Sequence, residues 1–155
     1  MEEVWLPDLL GGRFRQRTLS LGSDAEGEIV ATLVRLLPSW PASWTGRLRD
    51  VDVLYVHGWS DYFFQTGLAQ WWTDRGARFY ALDLRKYGRS LRAGQTPGYV
   101  SSLAEYDADI AAALSAMGRE DKPGRRLVLL GHSTGGLTLS LWAARHPGVA
   151  SALVL

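Results

Sequence analysis

Cysteine is absent from the sequence, and only three histidines occur among its 155 residues. The lack of cysteine excludes disulfides, thiolate metal sites and cysteine nucleophiles, and three scattered histidines show none of the spacings of metal ligands. No dinucleotide or P-loop pattern follows any predicted strand, so we expect neither a metal nor another cofactor. A cysteine-free chain also fits a reducing compartment. Because the N-terminus is acidic where a secretory signal needs basic residues, we expect a cytoplasmic protein.

The sequence also lacks an excess of either charge, since 17 lysines and arginines stand against 16 aspartates and glutamates, for a net charge of +1. No overall field would draw such a chain to a polyanion, so nucleic acid is not an expected partner. Its longest uncharged run, residues 127–144, approaches the ~20 residues of a membrane-spanning helix. Six consecutive Gly, His, Ser and Thr residues interrupt that run. We therefore expect no integral membrane segment.

The residues that are present are typical of one globular domain, with 46% hydrophobic and 21% charged side chains. Residues 13–36 read as two strands around the turn sequence GSDAEG, so residues 1–50 are expected to form an antiparallel hairpin and a loop. In residues 51–155, short apolar runs alternate with helical patterns, as in strands that are buried on both faces. This pattern predicts an α/β fold, a mostly parallel sheet with helices on both faces.

Three helical patterns connect the predicted core strands. The clearest begins at Ser102, whose pairing with Glu105 forms a capping box, and ends at Gly118. The others cover about residues 62–74 and residues 135–145. The pattern at 62–74 predicts four large side chains turned toward the core: Phe64, Leu68, Trp71 and Trp72.

A G-x-S-x-G sequence at residues 131–135 lies directly between an apolar strand and a helix. A strand that turns sharply into a helix strains its central residue and brings the flanking turns so close that they need glycine. Gly131, Gly135 and Gly136 would supply that room. Ser133 would then present its hydroxyl above the helix N-terminus, where free N–H groups favour an oxyanion. We interpret Ser133 as a nucleophile and residues 131–136, with His132, as its elbow.

A second motif, His57-Gly58-Trp59, follows the first parallel strand. Acyl transfer needs two N–H donors aimed at the developing oxyanion, and the loop after this strand should lie beside the serine turn. The backbone N–H groups of Trp59 and Thr134 are the candidate donors. Substrate is expected to contact the residues nearest the strand end: His57, Gly58, Trp59 and Tyr62.

With these motifs the sequence resembles the α/β-hydrolase family over roughly residues 28–155. The resemblance rests on the His57-Gly58 turn, the loop of residues 83–90 and the glycine-flanked serine turn, in the family's order and spacing. It is most similar to serine hydrolases such as monoacylglycerol lipases and lysophospholipases. It implies cleavage of a small-molecule or lipid carboxylic ester through an acyl-enzyme. Relatives with an aspartate nucleophile, the dehalogenases and epoxide hydrolases, are disfavoured by Ser133.

The resemblance also implies an acid and then a histidine after the serine. Residues 134–155 contain no Asp or Glu, and their only histidine is His146, about ten helical residues or ~15 Å from Ser133. His57 and His132 are interpreted as structural. The chain is therefore interpreted as the N-terminal portion of one α/β-hydrolase domain that lacks its cap and C-terminal part. We expect little esterase activity from it alone.

Two alternative functions remain open from the sequence. A cofactor-free acyltransferase or perhydrolase with the same serine turn would differ only in the acceptor that replaces water. A non-catalytic ligand-binding or interaction module would not react with fluorophosphonate probes. The final apolar run, SALVL, would leave an unpaired strand edge, which invites self-association.

A basic cluster follows the second core strand and needs an interpretation of its own. A phosphate site and a solvated loop face are both conceivable, and the solvated face is favoured because charge runs usually face water. The cluster consists of Arg85, Lys86, Arg89 and Arg92.

Overall fold

The computed structural model describes residues 4–119 and 124–155. Within them the strands are β1 (Leu6–Pro7), β2 (Arg15–Asp24), β3 (Gly27–Leu36), β4 (Val51–Val56), β5 (Arg78–Asp83), β6 (Arg126–Gly131) and β7 (Ala152–Val154). The α-helices are α1 (Trp40–Thr45), α2 (Thr66–Asp74), α3 (Tyr106–Ala116) and α4 (Thr134–Arg145). None of the helices in these two ranges is long and apolar enough to cross a membrane.

All seven strands of the described residues form one sheet in the order β1-β2-β3-β5-β4-β6-β7. Strands β5, β4, β6 and β7 are parallel to one another, whereas β2 and β3 form an antiparallel pair that joins β5 through β3. The predicted α/β fold with a mostly parallel core sheet is confirmed. Loops that follow β4, β5 and β6 therefore meet at one edge of the sheet, which is where parallel sheets bind ligands.

The apolar runs of the core strands arise because both faces of the sheet are covered. On one face, Leu54 of β4 packs with Ile110 of α3 and Leu139 of α4. On the other face, its neighbour Tyr55 packs with Ala69 of α2. Successive residues of β4 thus enter opposite halves of the core, and a polar residue on either face would be buried.

The predicted capping box is present before α3, in the segment that connects β5 to β6. Ser102 Oγ accepts the N–H of Ala104 at 3.2 Å, and Glu105 Oε1 accepts the N–H of Ser102 at 3.2 Å. The first turn, Leu103–Glu105, is a 3₁₀ turn, and the α-helix itself begins at Tyr106. A tight first turn of this kind is common at helix N-termini.

Helix α2 begins at Thr66, four residues later than the pattern at 62–74 predicts. The segment before it is held by a distant contact, because Asp83 Oδ1 accepts the backbone N–H of Phe63 at 2.9 Å. Because of that bond, the Phe63 N–H does not take part in helical hydrogen bonding. The Phe63 ring is fully buried in the core. The partner lies 20 residues along the chain, so the local pattern could not show it.

Two of the four side chains predicted to face the core on this segment are exposed instead, and that part of the prediction is wrong. Phe64 is 53% exposed because its neighbour Phe63 takes the inward position. Trp71 is 49% exposed, and the Arg75 guanidinium covers its ring at 3.9 Å. Leu68 and Trp72 are partly buried against the core, as expected.

Strand β7 lies at the edge of the described sheet and pairs with β6 alone. Its three residues are exposed, and so are Leu137 and Leu141 on the adjoining helix α4. These side chains form an apolar border to the sheet. Self-association through this edge remains a prediction.

Candidate active site

The turn between β6 and α4 has the strained geometry that its sequence predicts. Ser133 adopts φ 53° and ψ −119°, a conformation that L-residues other than glycine rarely adopt. It is also solvent-exposed. The serine is therefore accessible to solvent, and the surrounding packing must stabilise its strained backbone. Its chemical role remains a prediction.

Glycines on both sides of Ser133 allow neighbouring segments of backbone to approach each other closely. A Cβ on Gly131 would lie 2.5 Å from the Cα of Gly136, within the same turn. A Cβ on Gly135 would overlap the carbonyl oxygens of Val56 and His57 at the end of β4. The first helical turn of α4 is thus packed directly against the end of the neighbouring strand, with no room for a side chain.

The loop after β4 lies against this serine turn. A Cβ on Gly58 would be 3.3 Å from the Ser133 Cβ and 3.0 Å from His132 Nδ1. Trp59 follows at once, and within the described part of the chain neither its N–H nor that of Thr134 donates a hydrogen bond. Thr134 is the first residue of α4, where N–H groups have no partner inside the helix. Two free backbone donors therefore flank Ser133.

His57 holds the loop in place from beneath. Its Nε2 accepts the N–H of Leu84 at 3.1 Å, so Nδ1 carries the proton and donates to the Gly58 carbonyl at 2.8 Å. The imidazole is 1% exposed, and its burial lowers the pKa of His57 below the ordinary value. The side chain of His57 is therefore a buried support for the loop, and the predicted contact of this residue with substrate stays a prediction.

This buried imidazole predicts a pH dependence of stability. The unfolded chain takes up a proton at His57 near pH 6.5, whereas the folded chain resists it, so the stabilisation is complete above pH 6.5 and lost as the pH falls toward the folded pKa. We expect the free energy of unfolding in urea to fall by up to roughly 1 kcal/mol per pH unit in that window. The variant His57→Gln should lose this slope, while His132→Gln, at an exposed imidazole, should keep it. An unchanged slope in His57→Gln would contradict the assignment.

A pocket of about 170 Å³ opens beside the loop. It is lined by Trp59, Ser60, Asp61, Tyr62, Lys86, Tyr87, Gly88, Leu91 and Pro97. Two of the four residues predicted to contact substrate, Trp59 and Tyr62, lie in this lining. Gly58 does not, because it is buried against the serine turn, and its predicted contact with substrate stays a prediction.

No motif in the sequence indicates the part of the pocket that residues 86–97 supply. These residues follow β5, which lies next to β4 in the sheet. Loops after adjacent parallel strands lie at the same edge of the sheet. The strand order therefore predicts that residues 86–97 lie next to the loop after β4. The ring of Tyr87 joins the two loops, since it packs edge-on against His57 at 4.8 Å and against Trp59 at 6.1 Å between ring centroids.

Arg89 lies in a buried ionic network rather than on a solvated face. Its guanidinium donates to the Asp8 carboxylate at 2.7 and 3.0 Å and to Asp83 Oδ2 at 2.8 Å. All three side chains are 5% exposed or less. The same guanidinium also donates to the Phe63 carbonyl at 3.0 Å, and thereby anchors the segment that carries Tyr62 into the pocket.

Two other cations of the same cluster are paired with acids as well. Lys86 Nζ contacts Asp24 at 2.6 Å and Glu26 at 2.5 Å, and these hydrogen bonds lower the pKa of both carboxyl groups. Arg85 contacts the buried Asp109 at 2.6 Å. For Arg85, Lys86 and Arg89 the interpretation as a solvated face is therefore wrong, whereas Arg92 is paired with no acid among the described residues. The reason is that β2, the turn after it and α3 bring acids to these cations from far along the chain.

An α/β sheet with a strained, exposed serine in a glycine-flanked turn between a parallel strand and a helix is typical of the α/β-hydrolase class. The family model described as serine aminopeptidase, S33 matches residues 49–155, and the chain belongs to this α/β-hydrolase family.

Proteins similar to this chain include a lipase, a lysophospholipase and an epoxide hydrolase. The chain is 35% identical over 108 residues to a monoacylglycerol lipase of Mycolicibacterium smegmatis, a match that covers 69% of this chain and 37% of the lipase. It is 38% identical over 78 residues to lysophospholipase L2 of Escherichia coli K12, covering 48% of this chain and 22% of that enzyme. The structure of potato (Solanum tuberosum) epoxide hydrolase I superposes with a TM-score of 0.66 at 20% identity, over 90% of this chain and 38% of that one. The last similarity shows the fold alone.

Proposed function

We propose that this chain supplies the nucleophile and the oxyanion site of a serine hydrolase that cleaves carboxylic esters. The observation that carries the proposal is the exposed Ser133 at φ 53°, flanked by the free N–H groups of Trp59 and Thr134. Relatives named monoacylglycerol lipase and lysophospholipase support a lipid-like ester as the substrate.

The reaction follows from the placement of these groups. Ser133 Oγ attacks the ester carbonyl and gives up its proton to a base, and the carbonyl oxygen becomes an oxyanion. The N–H groups of Trp59 and Thr134 donate to that oxygen, and the N-terminus of α4 adds a favourable dipole. Collapse expels the alcohol, which takes the proton, and leaves an acyl-serine. Water then gives a proton to the base and attacks the acyl carbonyl, the bond to Ser133 Oγ breaks, the carboxylic acid leaves, and the base returns the proton to Ser133.

The base and its acid are proposed to lie outside these 155 residues, in a longer polypeptide of which this chain is the N-terminal portion. Among the described residues, His57 is buried and occupied on both nitrogens. His146 lies beyond α4, about 18 Å along a twelve-residue helix, and donates to the Trp142 carbonyl. His132 Nδ1 faces Asp61 and Gly58. Among the described residues, no hydrogen bond joins the Ser133 hydroxyl to any of the three, whereas proton transfer requires an approach of ~3 Å.

The proposal predicts covalent labelling that depends on one hydroxyl. A fluorophosphonate probe should label the polypeptide translated from the complete reading frame at Ser133, and Ser133→Ala should abolish both the labelling and the hydrolysis of p-nitrophenyl esters. The 155-residue chain should show little Ser133-dependent turnover, because an unassisted serine hydroxyl is a weak nucleophile. Mass spectrometry of the labelled peptide and ester kinetics measure these outcomes.

Ser140→Ala is the matched control, because Ser140 lies on the helix that follows Ser133 and donates its hydroxyl to the Gly136 carbonyl at 2.8 Å. It should leave labelling unchanged. Labelling that survives Ser133→Ala, or no labelling of the complete polypeptide, would overturn the proposal. Rapid Ser133-dependent turnover by the 155-residue chain would instead show that a base lies within it.

A further inference from the structure

The pocket beside Ser133 has aromatic walls. Trp59 is 64% exposed and stands edge-on to Tyr87, at 80° between the ring planes, while Tyr62 lies across the lining and is 41% exposed. Three rings thus border a space of about 170 Å³. Aromatic faces carry negative electrostatic potential and attract cations, most strongly alkylammonium groups whose hydration is weak.

Asp61 places a carboxylate in the same lining. Its Oδ1 accepts the N–H of Tyr62 at 2.8 Å, which fixes the side chain. Its Oδ2 lies 3.8 Å from His132 Nδ1, too far for a hydrogen bond, and accepts none within the residues that the structure describes. The pocket therefore contains an ordered carboxylate oxygen that is available to a ligand.

The cations near the pocket do not cancel this negative charge. Lys86 belongs to the lining, but its ammonium group is turned away to Asp24 and Glu26. Arg89, whose guanidinium lies 5.8 Å from the Tyr62 ring centre, is bound by two carboxylates of its own. Lys86 and Arg89 are thus each matched by two acids, while Arg92 donates to the backbone carbonyls of Arg89 and Leu91. Together with Asp61, the acids of this region outnumber these three cations, so the surroundings of the pocket are negative.

We propose that this pocket binds an alkylammonium group, so that the ester presented to Ser133 carries a choline-like cation. The statement that the cation is part of an ester substrate rests on the proposed function. Binding of the cation itself requires only the pocket. The rings contact the methyl groups of the cation, and the Asp61 carboxylate balances its charge. An anionic group of the same size would meet repulsion from the same residues.

Titration of the 155-residue chain with choline tests the proposal, with 3,3-dimethylbutan-1-ol as the neutral isostere. The ¹H–¹⁵N signal of the Trp59 indole N–H reports occupancy at the pocket. We expect a saturable shift with choline and at least about tenfold weaker binding of the neutral alcohol, because only the cation gains from the rings and the carboxylate. Equal affinities for the two compounds would overturn the proposal.

Variants separate the pocket from the rest of the surface. Asp61→Asn and Tyr62→Leu should each weaken choline binding about fivefold or more. Their matched controls, Asp74→Asn at the exposed end of α2 and Trp40→Leu on α1, should leave it unchanged. Loss of binding in a control but not in the pocket variants would place the cation elsewhere and overturn the proposal.

Glycerophosphocholine, titrated in the same way, distinguishes the possible sources of the cation. Binding of choline alone assigns a simple choline ester, and binding of both compounds admits a choline phospholipid. Ser133→Ala should retain choline binding, since Ser133 does not line the pocket. Choline binding without fluorophosphonate labelling of the complete polypeptide would therefore contradict only the proposal that Ser133 is a nucleophile. Labelling without choline binding would contradict only the proposal that the pocket binds an ammonium group.

Discussion

Gly135→Ala is expected to lower the free energy of unfolding by more than about 3 kcal/mol. The added Cβ would overlap the carbonyl oxygens of Val56 and His57, both of which belong to backbone at the end of the central strand β4. Neither oxygen can move unless α4 separates from the sheet, so the overlap cannot be relieved by a rotamer change. Urea unfolding followed by circular dichroism measures the loss.

Gly67→Ala is a closely matched control for that substitution. Gly67 and Gly135 are each the second residue of a helix, but nothing lies within 4 Å of a Cβ on Gly67. Alanine at this exposed position should stabilise the protein by about 0.5–1 kcal/mol, since it restricts the unfolded chain and favours the helix. If Gly135→Ala cost less than about 1 kcal/mol, the close approach of α4 to β4 would be disproved.

Arg89→Met should destabilise the fold by about 3–5 kcal/mol, because it leaves the buried carboxylates of Asp8 and Asp83 without their counter-ion. The loss would also release the Phe63 carbonyl and loosen the segment that carries Tyr62 into the pocket. Choline binding should therefore weaken along with the stability. Thermal and urea unfolding, together with the titration of the Trp59 signal, measure both effects.

Arg126→Met provides the comparison for Arg89. Arg126 also makes two hydrogen bonds to one carboxylate, that of Asp50, at 3.0 Å each, but both side chains are about half exposed. Water replaces the lost contacts there, so we expect no measurable change in stability. Equal losses of unfolding free energy in the two variants would show that burial does not determine how much these ion pairs stabilise the fold.

The geometry of the serine turn could be predicted from the sequence because its causes are local. Glycines at 131 and 135, an apolar strand before them and a helix after them leave few backbone paths for the residue between. Ser133 accordingly has a positive φ and an exposed side chain. The capping box at Ser102 was predictable for the same reason, since both of its partners lie within one turn.

The interpretations that failed involve contacts between residues far apart in sequence. Phe63 is bonded to Asp83, so α2 begins later than its pattern predicts. Lys86 reaches acids that lie 60 and 62 residues away, and Arg89 one that lies 81 residues away. No pattern within a window of the sequence contains both members of such a pair.

The sequence by itself determined the α/β architecture and the exposed, strained serine, because alternating apolar runs and glycine spacing act over a few residues at a time. Only the tertiary structure decided that His57 supports the loop, and that Lys86 and Arg89 are paired with acids. It also decided that Trp59, Tyr62, Tyr87 and Asp61 surround one pocket. These properties depend on which loops meet at the edge of the sheet. Strand order decides which loops lie next to each other. The pairing of a charge or the packing of a ring then depends on neighbours that are far away in the sequence.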